Sequence, residues 1–366
     1  MVRTAVDPMG RIRSLDGFRA VSIVIVVLSH AQRTPGFPDV LRPFVLAGGA
    51  GVLVFFVLSG YLITGLLQDE YAASGKVSLR NFYVRRFFRI VPALFVLVGS
   101  VAIYDWSRGW LIPRGVYLRA LTFTTGIVPL QDGGRLLQHT WSLSVEEQFY
   151  LLWPFFFSRS SSRARYLLAG AMIAVYPFLR VAFYLLKYRW VAQSSLGSAD
   201  CLIVGCAAAM ISRDFPHRLD KILSFHPSMC RALAALIFVA MAKLSSVGRL
   251  GIITVPLGGT LMSVSIAYLI TSYARDARGL VGRFLTAKPV VALGVLSYSL
   301  YLWQEPFTVE EDDLPGQVSP FWKAFPISIA FALAFAIASY VLVEKPFLRL
   351  RRRFVSDSTP RAIPRA

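Results

Sequence analysis

Long apolar segments alternate with short polar loops along the whole chain. Their approximate limits are 15–31, 43–67, 90–105, 116–130, 141–157, 166–187, 199–212, 229–243, 252–273, 289–308 and 322–343. A helix needs about 20 apolar residues to cross a bilayer, so most of these segments predict membrane-spanning helices. The segment 116–130 is doubtful, because it carries Arg119, a group of threonines and Pro129. The pattern therefore predicts an all-α, polytopic membrane bundle of about ten spans.

The basic residues set the predicted orientation of these spans. Loops rich in Lys and Arg stay in the cytoplasm, and the cations of this chain cluster in alternate loops. The clusters predicted to be cytoplasmic lie within 3–13, 76–89, 159–165, 213–221, 275–288 and 349–353. The acidic run 310–313 falls on the other side. The alternation requires 116–130 to be re-entrant or interfacial, and it then places both termini in the cytoplasm.

The composition agrees with a membrane protein and excludes other classes of protein. The chain is 55% hydrophobic and 16% charged, which excludes an ordinary soluble domain. The net charge of +19 does not indicate nucleic-acid binding, because the cations lie between apolar spans and no basic domain with interleaved aromatics is present. The cysteines Cys201, Cys206 and Cys230 lack metal-site spacing, so no metal is expected.

The chain is predicted to have one domain and a tail. Residues 1–350 form the transmembrane domain, and residues 351–366 form a basic cytoplasmic tail without fixed structure. The first apolar stretch is long and no small-residue cleavage site follows it cleanly, so we do not expect a cleaved signal peptide. The predicted location is the cell membrane, with many passes through the lipid.

Arg19 and His30 are the ionisable residues of the first apolar segment. On a helix, positions eleven residues apart share one face and stand roughly 16 Å from each other. Ionisable groups inside a membrane usually mark a site or a pathway. A guanidinium can hold an anion and an imidazole can move a proton. The alternative is that Arg19 and His30 only mark the two ends of the helix.

The small residues Ser59 and Gly60 interrupt the second apolar segment, in the sequence FFVLSGYL. Small residues let membrane helices approach closely, so packing alone favours a helix contact here. The functional interpretation is that a slim channel passes beside them.

The third apolar segment begins at VRRFFRIVP, in which Arg86 and Arg89 lie on one helical face. Two guanidiniums at this spacing suit a phosphate or pyrophosphate. A positive-inside anchor is the simpler interpretation, and topology alone favours it.

Several carboxylates lie at the ends of apolar segments. Glu146 and Glu147, in WSLSVEEQFYLLWP, precede continuous apolar sequence and could balance a histidine from another helix. Their alternative role is an interfacial cap. Glu305 is expected to be interfacial, and Glu344, beside Lys345, an ion-paired helix end.

Taken in order, these segments closely resemble the acyltransferase-3 family of integral membrane acyltransferases over essentially the whole chain. Each segment alone is moderately specific, and seven in order make a strong match. They are LDGFRA with the Arg19-x10-His30 spacing, FFVLSGYL, RRFFRIVP, WSLSVEEQFYLLWP, SADCLIVGC, LGVLSYSLYLW and VEKPFLRLRRR.

The resemblance implies transfer of an acyl group, most often acetyl, from cytoplasmic acyl-CoA to a hydroxyl of a sugar or similar acceptor. It implies that His30 is catalytic, that Arg19 is essential beside it, and that Arg86 and Arg89 hold the CoA phosphates. Many relatives have a histidine where this chain has Gln304, which cannot titrate. Some relatives also carry a fused hydrolase-like domain, which we do not expect here.

The sequence thus leads to a mechanism with open alternatives. Arg86 and Arg89, with Arg85, are expected to bind the acyl-CoA phosphates, and the pantetheine arm to pass along Ser59-Gly60. Arg19 would hold an anionic or carbonyl group of the donor, and Glu147, less surely Glu146, would balance an imidazolium at His30. His30 either deprotonates the acceptor hydroxyl or carries the acyl group. The acceptor is expected to be a surface glycan or a lipid-linked sugar.

Two other classes fit parts of the same pattern. A transporter or flippase of a lipid-linked sugar would also have many spans and buried charges. Transporters often contain paired repeats and interrupted helices, and the sequence has no convincing repeat. An acyl-CoA sensor would bind the donor without turnover.

Overall fold

The computed structural model describes residues 11–109, 112–127, 134–188, 195–309 and 320–354, and its regular elements are helices. They are α1 Arg13–Ala31, α2 Gly48–Ser74, α3 Leu79–Arg108, α4 Arg114–Leu121, α5 Thr140–Arg159, α6 Ser162–Leu185, α7 Ser195–Asp214, α8 Pro216–Ser224, α9 Pro227–Ser246, α10 Gly251–Arg275, α11 Gly279–Thr286, α12 Lys288–Thr308, α13 Pro320–Lys323, α14 Ile327–Ser339 and α15 Lys345–Leu350. Short 3-10 turns cover Asp39–Phe44, Arg135–Leu137 and Arg351–Arg353, and a π-helical turn, Tyr340–Glu344, joins α14 to α15. The all-α prediction is confirmed.

The protein crosses the membrane many times. Within the described ranges, seven helices are long and apolar enough to span: α1, α2, α3, α6, α9, α10 and the continuous α14–α15. The pair α11 and α12, bent by 56°, counts as an eighth if the two helices are taken as one broken span. Two 20-residue helices, α5 and α7, coincide with two further predicted segments. The count of ten spans and the cytoplasmic termini stay predictions.

The described part of the doubtful segment 116–130 does not span the membrane. It lies mostly in α4, which has eight residues and is therefore roughly 12 Å long. Val116 and Ala120 of α4 are buried in a cluster with residues of α3 and α12. Residues 128–130 lie outside the described ranges. A short helix packed on the bundle agrees with the topology that the basic loops predict.

The centre of the bundle is formed by α1 and α2. Most of their length is buried, whereas most of α6 and α9 is exposed and suited to lipid. Ile23 of α1 and Val57 of α2 are fully buried in one apolar cluster, with Ile270 of α10. Polar side chains on α1 and α2 are therefore held by packed neighbours, which is what a defined site requires.

Glycines allow the central helices to touch backbone to backbone. A Cβ on Gly60 would lie 1.9 Å from the carbonyl oxygen of Leu202, and one on Gly205 would lie 2.1 Å from that of Val57. These positions join α2 to α7. Gly294 of α12 contacts the backbone of Asp16 of α1 in the same way. Of the two interpretations of Ser59-Gly60, packing is the one that applies to Gly60.

Replacing Gly60 by Ala should destabilise the protein by about 1–3 kcal/mol, the usual cost of overpacking a tight contact. Gly65→Ala is the matched control on α2, because a Cβ there meets nothing within 4 Å. It should be neutral or slightly stabilising, since Ala favours helix more than Gly does. Thermal unfolding in detergent compares the two. Equal midpoints would contradict the close contact.

The beginning of the predicted tail is part of the folded protein. Residues 351–353 continue the last span as a 3-10 turn, and Arg351 is only partly exposed. Residues 355–366 lie outside the described ranges, so the rest of the tail stays a prediction.

Candidate functional site

Two cavities lie back to back inside the bundle. We call the first, of about 240 Å³, the arginine cavity, and the second, of about 660 Å³, the histidine cavity. The charged residues lining the arginine cavity are Arg19, Arg85, Arg86, Arg89, Glu146 and Arg351. The ionisable residues lining the histidine cavity include His30, Arg33, Arg135, His139, Arg180 and Glu305. Val52, Phe56 and Tyr301 line both cavities, so they lie between them.

Helix α1 borders both cavities, with Arg19 in one and His30 in the other. Arg19 lines the arginine cavity and His30 lines the histidine cavity. Both lie in the continuous helix α1, so they share one face as the spacing predicts and stand roughly 16 Å apart along it. At that distance the two side chains line different cavities. By the positive-inside pattern, Arg19 is at the predicted cytoplasmic end.

Arg86 is held by the two glutamates of α5. Its Nε donates to Glu147 at 2.9 Å and its Nη2 to Glu146 at 3.2 Å. Its guanidinium carbon lies 3.6 Å from the centre of the Tyr150 ring. The hydroxyls of Ser59 and Tyr150 also donate to Glu146. The group is a partly buried charge cluster with fixed geometry, which costs less than an isolated buried ion.

This cluster corrects the expectation that Glu147 or Glu146 balances His30. Both carboxylates pair with Arg86 on the arginine side, because a partly buried acid is stabilised by the nearest cation. Sequence spacing could place the acids on one helix, but it could not identify their partner on α3.

Arg89 is an exposed cation of the arginine cavity. Like Arg351, it makes no ion pair within the described ranges, although Glu344 lies close enough to interact electrostatically with it. Arg85 pairs with Glu70 at 3.2 Å, and Arg19 pairs with Asp16 at 2.7 Å. Arg89 also lies close enough to Arg19 and Arg86 for electrostatic repulsion. Converging guanidiniums of this kind suit an anionic ligand with several oxygens.

Ser59 and Gly60 take separate roles. Ser59 lines the arginine cavity and is bound to Glu146. Gly60 faces α7 instead and does not line the cavity. We expected a channel beside both residues. Of the two, only Ser59 lines the cavity.

His30 is oriented by α12. Its Nδ1 lies 2.8 Å from Oε1 of Gln304 and 3.4 Å from Oε2 of Glu305. The Gln304 amide donates to Glu305 at 3.0 Å, and its Oε1 also accepts from Thr308 at 3.2 Å. Since Oε1 can only accept, Nδ1 carries the proton in this arrangement.

The other ring nitrogen of His30, Nε2, is available for chemistry. With the proton on Nδ1, Nε2 of a neutral imidazole has a free lone pair. The His30 side chain is 33% exposed, and Nε2 has no hydrogen-bond partner within the described ranges. Such a nitrogen can accept a proton or attack a carbonyl carbon.

Sequence reasoning missed three residues beside His30. Glu305 was expected to be interfacial, yet it is the carboxylate that faces His30. Gln304, which cannot titrate, hydrogen-bonds the His30 ring. His139 lines the same cavity, and both of its ring nitrogens are buried without hydrogen bonds. For two of them the available signal was the polar pair Gln304 and Glu305 near the end of an apolar segment.

Glu344 also differs from its expected role. It is 5% exposed and accepts from the Ser299 hydroxyl of α12. No ion pair to Lys345 or Arg349 occurs in the described structure. The π-helical turn that ends at Glu344 turns the carboxylate inward, so it is not a surface helix stop.

A second buried ion pair holds the far wall of the histidine cavity. Arg180 of α6 donates to Asp200 of α7 at 2.6 Å, and Asp200 is fully buried. Thr260 of α10 donates to the same carboxylate at 3.2 Å. Three helices are thereby tied together around the cavity. In the described ranges no group of three His, Cys, Asp or Glu side chains could hold a metal ion.

Comparison with known proteins gives a consistent result. The profile of a family described as an acyltransferase domain, the acyltransferase-3 family, matches residues 12–344. The peptidoglycan O-acetyltransferase OatA of Listeria monocytogenes is 27% identical over 94% of this chain and 57% of its own length. The O-acetyltransferase OatA of Staphylococcus aureus is 29% identical over 91% of this chain and 56% of its own length. The chain spans about half the length of these curated relatives. No solved structure matches.

Proposed function

Because the chain belongs to the acyltransferase-3 family, we propose that it is a cell-membrane acyltransferase that moves an acyl group, acetyl first of all, from acyl-CoA to a hydroxyl of a cell-wall glycan. The observation that carries the proposal is the pair of cavities that meet at Val52, Phe56 and Tyr301. One cavity is cationic and opens toward the predicted cytoplasmic side. The other contains a histidine with a free ring nitrogen.

The donor binds in the arginine cavity. Acyl-CoA carries several phosphate groups, and Arg89 offers them an exposed guanidinium that is not held in an ion pair within the described ranges. Arg85, Arg86 and Arg351 add positive charge around it. Arg86 is already bound to Glu146 and Glu147, so it contributes mainly by fixing the cavity wall. Arg19, near the end of α1, faces the part of the donor closest to the partition.

His30 performs the transfer by one of two routes. As a general base, Nε2 takes the proton of the acceptor hydroxyl, the oxygen bonds to the thioester carbon, and the C–S bond breaks to release CoA. As a nucleophile, Nε2 first takes the acyl group and releases CoA, and the acceptor oxygen then displaces the imidazole. In both routes the positive charge on the ring faces Glu305 at 3.4 Å.

The acceptor is a carbohydrate hydroxyl on the side of the histidine cavity. The relatives from Listeria monocytogenes and Bacillus subtilis are named as peptidoglycan O-acetyltransferases, the latter putatively, which supports a cell-wall glycan or its lipid-linked form. The histidine cavity, of about 660 Å³, is large enough for a sugar unit by the usual size of ligand sites. The transmembrane domain, residues 1–350, supplies most of this machinery. Arg351, the first residue of the proposed cytoplasmic tail 351–366, adds to the wall of the arginine cavity.

The direct test supplies labelled acetyl-CoA to membranes that contain the protein and an extract of cell-wall precursors. CoA release together with label in the glycan fraction supports the proposal. Movement of a lipid-linked sugar without consumption of acetyl-CoA would support a transporter instead. Binding of acetyl-CoA without CoA release would support a sensor.

Replacing Glu305 by Gln should lower acyl transfer by about 10- to 100-fold, which corresponds to the roughly 1.5–3 kcal/mol of a hydrogen bond to a charged group. The change keeps the shape of the side chain and removes the charge that faces His30. Initial rates of CoA release measure the effect. Asp39→Asn is the control, because Asp39 is an exposed carboxylate on the same predicted side. An unchanged rate in Glu305→Gln would remove Glu305 from the mechanism.

A further inference from the structure

The two cavities are separated by a thin apolar partition. Its members are Val52, Phe56 and Tyr301, the side chains that line both chambers. Val52 is 7% exposed, Phe56 2% and Tyr301 8%. If the donor enters the arginine cavity and His30 faces the histidine cavity, the acyl group has to pass between these side chains.

The partition is held firmly from two sides. The Tyr301 hydroxyl lies 2.5 Å from Ser142 Oγ and donates to the carbonyl oxygen of His139 at 2.7 Å. The ring of Phe55 meets the Tyr301 ring edge-on, with 6.3 Å between centroids. The ring of Phe56 meets Trp141 in the same way at 6.2 Å. These contacts join α2, α5 and α12 and hold the rings of Phe56 and Tyr301 in place.

A tightly packed apolar partition selects among acyl groups by their width and by their charge. A linear alkyl chain presents the same cross-section as a methyl group, whereas a branch beside the carbonyl widens the group at the point of passage. An ionised carboxylate would have to leave water, which is costly without a partner. The cations of the arginine cavity would also hold such a carboxylate back.

We propose that Val52, Phe56 and Tyr301 determine donor specificity, admitting neutral, unbranched acyl groups such as acetyl and excluding branched and carboxylated ones such as isobutyryl and succinyl. The inference rests on the proposed function, because it concerns the donor of that reaction. The atoms balance as in any acyl transfer: the C–S bond breaks, the acyl carbon bonds to the acceptor oxygen, and the hydroxyl proton leaves through His30.

The variant that tests this is Val52→Ala, which removes two methyl groups from the partition without introducing a polar atom. Val54→Ala is the matched control, because Val54 is buried on the same helix and lines neither cavity. Purified protein in nanodiscs is given acetyl-, propionyl-, isobutyryl- and succinyl-CoA in turn, with a glycan acceptor. The rate of CoA release is divided by the rate with acetyl-CoA, so any loss of folded protein cancels.

Wild type should use acetyl- and propionyl-CoA and discriminate against isobutyryl-CoA by about 10- to 200-fold, the range that a pocket achieves against one extra methyl group. Val52→Ala should raise the isobutyryl-to-acetyl ratio at least about tenfold and leave succinyl excluded. Val54→Ala should leave the ratio unchanged. Wild type that uses isobutyryl- or succinyl-CoA as readily as acetyl-CoA would overturn the inference, as would an unchanged ratio in Val52→Ala. Wild type that releases CoA from none of them would instead overturn the proposed function.

Discussion

Replacing His30 by Gln should reduce acyl transfer by at least about 10²- to 10⁴-fold, the contribution of a positioned base, and completely if the ring carries the acyl group. Glutamine can keep a hydrogen bond to Gln304 but cannot accept the proton that Nε2 accepts. Acetyl-CoA binding should be unchanged, because His30 does not line the arginine cavity. Single-turnover CoA release and equilibrium donor binding, measured on the same preparation, separate the two effects.

His217→Gln is the matched control for this experiment, since His217 lies on α8 and is exposed. It should retain full transfer. Thermal unfolding of both variants confirms that the bundle is intact. Full activity in folded His30→Gln would contradict the assignment of His30, and an equal loss of donor binding would point to a structural role.

Replacing Arg89 by Gln should raise the KM for acetyl-CoA by about 10- to 100-fold, equivalent to the roughly 1.5–3 kcal/mol of a charged hydrogen bond. The turnover number should change little, because the phosphates are bound equally before and during the chemical step. The effect should disappear with S-acetylpantetheine, a donor that lacks the nucleotide phosphates. Steady-state kinetics with the two donors measure it.

Arg80→Gln provides the control for Arg89, because Arg80 is an exposed arginine of α3 that does not line the cavity. Its KM should match wild type with both donors. A KM increase in Arg89→Gln that persisted with S-acetylpantetheine would show that Arg89 does not act on the phosphates.

Hydrophobic patterning predicted most of the fold. The apolar segments became α1, α2, α3, α5, α6, α7, α9, α10, α12 and the last span, because burial and lipid contact both demand runs of apolar residues. The doubt about 116–130 was justified by α4, which is too short to span. Patterning could not predict the bend between α11 and α12 or the π-helical turn before α15, because these depend on local backbone geometry.

Most of the residues singled out in the sequence line one of the two cavities, but the pairings between them could not be predicted. His30 and Arg19 were recognisable because ionisable side chains stand out in apolar sequence. Their partners were not, since the contact of His30 with Gln304 and Glu305 joins helices more than 270 residues apart in the chain. Glu146 and Glu147 were assigned to His30 because the sequence does not show which cation is nearest. In the structure both form ion pairs with Arg86. To predict charge pairs across a bundle, one has to know which helices are neighbours.

We expect the donor to enter through the arginine cavity and the acceptor through the histidine cavity, with transfer depending on His30. Inverted membrane vesicles, with the cytoplasmic face outward, test it when labelled acetyl-CoA is added outside and the glycan acceptor is sealed inside. The account predicts label on the enclosed glycan with wild type, none with His30→Gln, and none when acetyl-CoA is sealed inside with the glycan. Labelling that occurs only when donor and acceptor share a compartment would contradict it.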